Sequence, residues 1–172
     1  MSIEFRECTV QDIDTLSALG RETYHDTFAA MNTLKNMRTY LDTAFNRETL
    51  LKELLAEHSQ FLFLFCDDEL AGYLKLNEED AQTDMYEHEA LEIERIYLRS
   101  VFQGRGLGKV LIEKAMESAR SKNKSYVWLG VWKRNRNAVA FYRRMGFTVF
   151  GSHDFRMGEE LQSDYLMRRD IG

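Results

Sequence analysis

The chain has 172 residues, of which 44% are hydrophobic and 30% are charged, and this composition excludes a disordered chain and fits one domain with a sizeable core. A formal net charge of −5 argues against nucleic acid as a partner and favours a cationic one. The longest apolar run, residues 61–66, is too short to span a bilayer, so no membrane partner is expected.

Residues 1–8 are charged and lack the apolar run of a signal peptide. Cys8 and Cys66 lie far apart and have no metal-ligand spacing. We therefore expect two reduced thiols in a cytoplasmic protein without a metal site.

The first third of the chain predicts one strand and two helices. Apolar and polar residues alternate over 3–8, which is typical of a strand. Thr9 is a typical helix cap, and the apolar spacing after it predicts a helix to about Phe28. Residues 32–36 predict a polar break, and a second helix is expected after the cap Asn46.

The rest of the chain predicts a hairpin and then alternating strands and helices. Residues 60–66 and 70–77 predict the hairpin because their connection is short. The later strands are expected at 91–99, 126–132, 147–152 and 165–169, and the later helices at 106–122 and 135–145. This order predicts an α/β (α+β) fold with a mixed central sheet of about seven strands and four helices. Composition does not shift along the chain, so residues 1–172 are expected to form a single domain.

A strand in the middle of the chain runs through a glycine-rich turn directly into a helix. Gly104, Gly106 and Gly108 let backbone N–H groups face a ligand without an intervening Cβ. The start of the helix adds a positive dipole end, and Arg105 and Lys109 add side-chain charge. These features predict an anion site suited to phosphate.

The glycine spacing excludes two common phosphate-binding loops. Lys109 is followed by Val110, so the hydroxyl that a P-loop supplies to Mg²⁺ is missing. The third glycine of a dinucleotide fingerprint is also missing. The spacing that remains is Gln-x-x-Gly-x-Gly at Gln103, Gly106 and Gly108.

A second motif follows about 30 residues later, in the predicted helix 135–145. Its spacing places Asn135, Ala138 and Tyr142 along one side of that helix. With the glycine turn, this motif resembles the GNAT N-acetyltransferases, which share both patterns. The residues that match the family's second signature are Asn135, Ala138, Phe141, Tyr142, Gly146 and Phe147.

The resemblance implies a GNAT fold in which two splayed central parallel strands hold acetyl-CoA. It also implies that Tyr142 donates a proton to the departing thiolate. The cofactor-binding positions that it implies are Ile96, Tyr97, Leu98, Gln103, Gly104, Arg105, Gly106, Leu107, Gly108, Lys109, Asn135, Asn137, Ala138, Tyr142 and Arg144.

The transfer needs a base, because a primary amine is largely protonated at neutral pH. Glu92 and Glu94 lie on the predicted central strand, and their spacing of two places them on one face unless a bulge intervenes. The family carries a bulge in this strand, so the choice between the two carboxylates stays open.

Two observations concern the acceptor. Residues 77–92 contain seven acidic residues and no Lys or Arg, which would attract a polycation or form a solvated loop. Stretches along nearly the whole chain resemble the bacterial Pai-type polyamine acetyltransferases. That resemblance implies spermidine or spermine as acceptor, with Tyr24, Asp26 and Phe28 in the acceptor site.

Other functions remain as alternatives. The acceptor could be another amine, such as a protein N-terminus or an aminoglycoside. The chain could also be a non-catalytic acyl-CoA sensor, although both carboxylates and Tyr142 are present. A DNA-binding regulator is disfavoured because no helix-turn-helix pattern or basic arm is found. The family resemblance leaves a homodimer open.

Overall fold

The computed structural model of the protein describes residues 1–84 and 87–172, which form a seven-stranded sheet covered by five α-helices. The strands are β1 (Ile3–Glu7), β2 (Ser59–Cys66), β3 (Glu69–Asn77), β4 (Ala90–Leu98), β5 (Tyr126–Trp132), β6 (Thr148–Met157) and β7 (Glu160–Asp170). The helices are α1 (Ile13–Phe28), α2 (Leu34–Ala44), α3 (Arg47–Leu55), α4 (Leu107–Ser121) and α5 (Arg136–Arg144).

The sheet has the strand order β1-β2-β3-β4-β5-β7-β6. Among the described residues, β4 and β5 are the one parallel pair, and every other neighbouring pair is antiparallel. The predicted α/β (α+β) class with a mixed sheet of seven strands is therefore confirmed.

The helix α2 occupies the segment for which a polar break was expected, so the fold has five helices where the sequence predicts four. Thr33 caps this helix, because its side-chain oxygen accepts a hydrogen bond from the N–H of Asn36 at 3.1 Å. Met37 and Leu41 then pack into the core. Apolar residues recur along it at a helical period, so the sequence does carry a signal for this helix, and the expected polar break was wrong.

Capping side chains determine where two other helices begin. The N–H of Thr9 donates to the carboxylate of Asp12 at 2.9 Å, within the reciprocal capping box that precedes α1. Asn46 accepts a hydrogen bond from the N–H of Thr49 at 2.8 Å, at the start of α3. Both predicted caps are therefore confirmed, and both helices lie on the same face of the sheet.

A separate apolar core lies on each face of the sheet. The helices α1 to α3 bury Leu16 and Leu50 against Phe63 of β2. The helix α4 buries Leu111 and Ala115 on the other face. Because each face is covered, the central strands are nearly continuously apolar, as is typical of buried strands in α/β proteins.

The central strands β4 and β5 separate after four residue pairs. Their parallel pairing runs from Ala90 with Tyr126 to Ile93 with Leu129. Beyond this point β4 continues to Leu98 without a strand on its β5 side. The backbone groups of residues 94–98 on that side are therefore left for another hydrogen-bonding partner. This is the splay of the central parallel strands that the family resemblance implies.

Within the described residues, no helix is long and apolar enough to cross a bilayer. The same part of the chain contains no group of three or more His, Cys, Asp or Glu side chains that could hold a metal ion. Cys8 and Cys66 are both free and buried, and burial raises the pKa of the Cys8 thiol to about 12, which makes it a poor nucleophile.

Candidate active site

A cavity of about 790 Å³ opens where β4 and β5 separate. Its walls come from the end of β4, the turn before α4, the start of α4, the end of β5 and one side of α5, while residues 26–28 of α1 close one end. Most ligand sites in proteins are concave and have a volume of this order. The cavity therefore defines the candidate active site.

The turn before α4 forms an open cradle. Gly104 and Gly106 have φ angles of +79° and +80°, in the left-handed region that glycine tolerates best. A Cβ atom at either position would meet no atom within 4 Å. Gly106 precedes the first residue of α4 and provides no side-chain cap, so the N–H groups of the first turn are available to an anion.

Gly108 has a different structural role from the other two glycines. A Cβ atom there would lie 2.9 Å from the ring of Phe141. The glycine therefore allows α4 and α5 to approach each other closely at the cavity wall. Gln103 holds the preceding turn against β4, because its side-chain amide donates to the carbonyl of Leu98 at 3.4 Å.

The helix α5 presents one side to the cavity. Asn135 precedes it and accepts a hydrogen bond from the N–H of Ala138 at 3.4 Å, and Gly146 follows it with a φ of +92°. Asn135, Ala138 and Tyr142 all line the cavity, as their spacing predicts. Burial raises the pKa of the Tyr142 phenol, so this side chain is protonated at neutral pH and can donate a proton.

A β-bulge in β4 distinguishes the two candidate carboxylates. Lys75 of β3 pairs with Arg95 and Leu76 pairs with Ile93, so Glu94 is the additional residue. Glu94 lines the cavity. The side-chain amide of Asn77 donates to it at 2.9 Å. A carboxylate therefore reaches the cavity at the point where the two strands separate.

Glu92 is closed off from the cavity. Only 2% of its surface is exposed, and it does not line the cavity. It accepts hydrogen bonds from the N–H of Thr83 at 2.8 Å and from Asn77 at 3.0 Å. Burial raises the pKa of Glu92 despite these bonds. Glu92 thus attaches the 78–89 segment to the sheet.

Two buried cations hold Glu94 in its ionised form. The Nζ of Lys75 lies 2.6 Å from the carboxylate of Glu94, and the guanidinium of Arg95 lies 3.4 Å from it. Both cations also pair with Glu53 of α3, at 2.5 Å and 3.2 Å. Burial alone would raise the pKa of Glu94, but Arg95, Lys75 and Asn77 outweigh it and hold the pKa below its ordinary value.

Aromatic and acidic side chains form the end of the cavity beside α1. Asp26 and Phe28 line it together with Trp132 of β5, and the rings of Phe28 and Trp132 lie 5.7 Å apart. Tyr24 lies behind this wall, 4.5 Å from the ring of Phe28 and 4.2 Å from that of Tyr40. Tyr24 therefore supports the wall and does not form it.

Several carboxylates of the acidic segment that precedes β4 have partners elsewhere in the fold. Glu78 pairs with Lys122 at 2.7 Å, and Asp80 lies 2.8 Å from His58. Glu87 accepts a hydrogen bond from the hydroxyl of Tyr126. These carboxylates stabilise the segment's own position, so its net charge is a weak signal for a polycation. Met85 and Tyr86 of this segment lie outside the described residues.

The cavity brings together most of the residues that the sequence singles out. Three of them lie elsewhere: Glu92 and Tyr24, as described, and Arg105, whose guanidinium lies over the ring of Phe102. Those that line the cavity are Asp26, Phe28, Glu94, Ile96, Tyr97, Leu98, Gln103, Gly104, Gly106, Leu107, Gly108, Lys109, Asn135, Asn137, Ala138, Tyr142 and Arg144.

The sequence alone does not reveal the residues that surround Glu94 from other elements. Lys75 and Glu53 are brought to it by strand pairing and by helix packing. The cavity is also lined by Gly130 and Trp132 at the end of β5. The one signal for the latter pair is a glycine in an otherwise apolar strand, which often marks a close approach.

Comparison with known proteins identifies the family. The model of the acetyltransferase (GNAT) family matches residues 22–147. The chain belongs to this family. The match includes the bulged strand, the glycine cradle and α5, and enzymes of this family take the acetyl group from acetyl-CoA. The chain is thus an acetyl-CoA-dependent N-acetyltransferase.

Individual relatives resemble the chain over nearly its whole length. It is 42% identical over 169 residues to an uncharacterised N-acetyltransferase of Lactobacillus delbrueckii subsp. lactis, covering 98% of both chains. It is 27% identical to the spermidine N(1)-acetyltransferase of Thermoplasma acidophilum, covering 95% of this chain and 100% of that one. The crystal structure of the PaiA N-acetyltransferase from Thermoplasma acidophilum in complex with coenzyme A has a TM-score of 0.79 and 25% identity, covering 99% of each chain.

The geometry of this chain fits acetyl-CoA. The glycine cradle and the uncapped start of α4 suit a pyrophosphate. The backbone groups of residues 94–98 that lack a β5 partner suit an amide-containing arm, which can hydrogen-bond as a strand does. Arg144 and Lys109 at the cavity wall add positive charge.

Proposed function

We propose that this acetyltransferase acts on a primary amine of a polyamine such as spermidine or spermine, by direct transfer while donor and acceptor are bound together. The observation that supports the proposal most strongly is that Glu94 and Tyr142 line one cavity where β4 and β5 separate. Cys8 and Cys66 are buried and do not line the cavity. Neither thiol is therefore placed to form a covalent acyl-enzyme, and the proposed reaction does not need one.

The donor is held by backbone and by cations. The N–H groups at Gly104, Gly106 and the first turn of α4 bind the pyrophosphate, and Arg144 and Lys109 pair with phosphate charge. When bound, acetyl-CoA supplies a thioester whose carbonyl carbon accepts the amine. The N–H groups of residues 96–98 that point away from β3 polarise that carbonyl, because donors aimed at a developing negative charge stabilise it.

Glu94 is the proposed base. It is ionised at neutral pH because Arg95 and Lys75 hold its pKa low, so it attracts the acceptor's ammonium group into the cavity. It then takes a proton from the amine through a water molecule. Glu92 lies too deep for this role and acts by holding the neighbouring segment in place.

Tyr142 is the proposed acid. Its phenol stays protonated because burial raises its pKa, and it lines the cavity between the cradle and β5. A proton from its hydroxyl would neutralise the departing thiolate. The same T-shaped contact that packs Tyr142 against Phe147, with ring centroids 6.0 Å apart, fixes the direction of the hydroxyl.

A polyamine fits the far end of the cavity. Phe28 and Trp132 offer ring faces to an alkylammonium chain, and Asp26 offers a carboxylate. The spermidine N(1)-acetyltransferase of Thermoplasma acidophilum is a relative over almost the whole chain. Another amine would meet the same base and acid, so the test must distinguish a polyamine from other acceptor amines.

We also propose that the enzyme is cytoplasmic, a location in which its two cysteines would stay reduced. We further propose that it forms a homodimer. Val149 and Phe150 are 40% exposed on the edge strand β6 and would be covered in a dimer. Sedimentation of the full chain tests the assembly, because a monomer at all concentrations would contradict it.

The acceptor is tested by measuring coenzyme A release from acetyl-CoA with spermidine, spermine, putrescine, a lysine peptide and an aminoglycoside. We expect turnover with spermidine and spermine and little with the peptide or the aminoglycoside. Turnover with one of the latter alone would keep the reaction and overturn the polyamine proposal. Tight acetyl-CoA binding without turnover of any amine would favour an acyl-CoA sensor.

A further inference from the structure

Gly130 leaves an opening in the cavity floor. It is exposed, although its neighbours Leu129 and Val131 in β5 are buried, and it lines the cavity. A Cβ atom at this position would lie 3.2 Å from Oδ2 of Asp164 in β7. The missing side chain therefore brings the Asp164 carboxylate close to the cavity-lining backbone of Gly130, although Asp164 itself does not line the cavity.

Asp164 has a charge without a partner in the fold. No hydrogen bond or ion pair within 4 Å reaches its carboxylate from the described part of the chain. The charged neighbours are Asp84 and His153, which pair with each other at 3.2 Å. Burial, opposed by His153 and reinforced by Asp84, raises the pKa of Asp164 to about 6. At neutral pH it is mainly ionised, and a half-buried carboxylate of this kind favours a cationic ligand.

The strand register places Asp164 at a distance from Glu94, where the acetyl group is proposed to be transferred. It pairs with Trp132 at the end of β5, whereas Glu94 lies on β4 just beyond the last pair of Ile93 with Leu129. Since β5 lies between β4 and β7, two strand spacings, about 10 Å, separate the two carboxylate-bearing strands. An extended aliphatic diamine can span such a distance.

We propose that Asp164 binds the second, non-reacting ammonium group of the acceptor and that Gly130 opens the path to it. The inference rests on the proposed acetylation of an amine at Glu94 and names what selects the acceptor. Trp132 lies between the two carboxylates and covers the methylene chain. The side chains of Tyr24 and Tyr40 also face Asp164 from α1 and α2, and both are neutral phenols at pH 7.

The test measures diamine binding by calorimetry in the chain saturated with coenzyme A, and then turnover of a diamine and of the monoamine of the same length. Asp164→Asn should weaken diamine binding about 10- to 100-fold, because one charge-assisted contact is lost. The monoamine should lose much less. Asp154→Asn, which removes an exposed carboxylate of β6, is the matched control and should change neither.

A second variant, Gly130→Ala, leaves the charge in place and blocks the path, so it should also weaken the diamine more than the monoamine. Equal loss with both acceptors in the Asp164 variant would overturn the inference, and so would unchanged diamine binding in both variants. If the wild type binds the diamine through Asp164 but does not acetylate it, the inference stands and the proposed polyamine acetylation fails.

Discussion

At the scale of single residues, Glu94 and Glu92 differ in what surrounds each carboxylate. Glu94 meets two cations and the cavity, whereas Glu92 meets Thr83 and Asn77 and is closed off. In the sequence they are simply two residues apart, as are any two successive residues on one face of a strand. The bulge that brings Glu94 to the cavity depends on pairing with β3, so the sequence alone leaves the choice open.

The acid limb of the pH profile is predicted to follow the acceptor amine and not Glu94. The pKa of Glu94 lies below its ordinary value of 4.5, so this carboxylate loses its charge only as pH falls through that lower value. Asp164 loses its charge only near pH 6, so turnover lost above about pH 7 must come from protonation of the amine, whose pKa is about 10.4 when free. The measurement is kcat/KM against pH with two amines of different pKa. An acid limb that stays in place when the amine changes would contradict this assignment.

Tyr142→Phe is predicted to lower kcat by about 100-fold, the usual size of a general-acid contribution. The ring remains, so its contact with Phe147 and the cofactor affinity should persist. Coenzyme A release and acetyl-CoA binding are measured on the same preparation. A variant with wild-type kcat would show that the thiolate leaves without help from this phenol.

At the scale of elements, the glycine turn before α4 and the motif of α5 could both be predicted from the sequence, because the structure of each depends on residues that are close together in the chain. A glycine turn at a helix start and a helix with one polar side are both visible in a single stretch of sequence. The position of Asp164 is not, because it depends on the register of β5 with β7. The helix α2 does have a helical apolar period, and the polar residues at its start led to the wrong expectation.

Gly106→Ala is predicted to weaken acetyl-CoA binding while leaving the fold intact. The residue has a φ of +80° and open space around it, so alanine costs about 1 kcal/mol in strain and places a methyl group towards the pyrophosphate. Gly108→Ala is the comparison, because its methyl group would strike Phe141 at 2.9 Å and should lower the melting temperature. If Gly106→Ala bound acetyl-CoA as the wild type does, the turn would not be the pyrophosphate site.

At the scale of the whole molecule, the cavity lies between two cores that the sheet separates. Acetyl-CoA in the gap would contact β4, β5, α4 and α5 together, so its binding should stabilise the protein as one unit. At 100 times its Kd a ligand adds about 2.7 kcal/mol, which corresponds to a rise of roughly 5–10 °C in Tm for a chain of this size.

That stabilisation is measured by thermal unfolding with and without coenzyme A. The Gly106→Ala variant should show a smaller rise at the same ligand concentration, because its affinity is lower. A rise of equal size in both proteins would contradict the position of the cofactor, and no rise in the wild type would contradict binding itself.

We propose that Glu94 activates the amine at the point where β4 and β5 separate. The most direct measurement is coenzyme A release by Glu94→Gln at saturating acetyl-CoA and spermidine, compared with the wild type and with Glu92→Gln. We expect Glu94→Gln to lose about 100-fold or more in kcat with unchanged acetyl-CoA binding, and Glu92→Gln to lose much less. Wild-type turnover by Glu94→Gln, or a larger loss in Glu92→Gln, would contradict it.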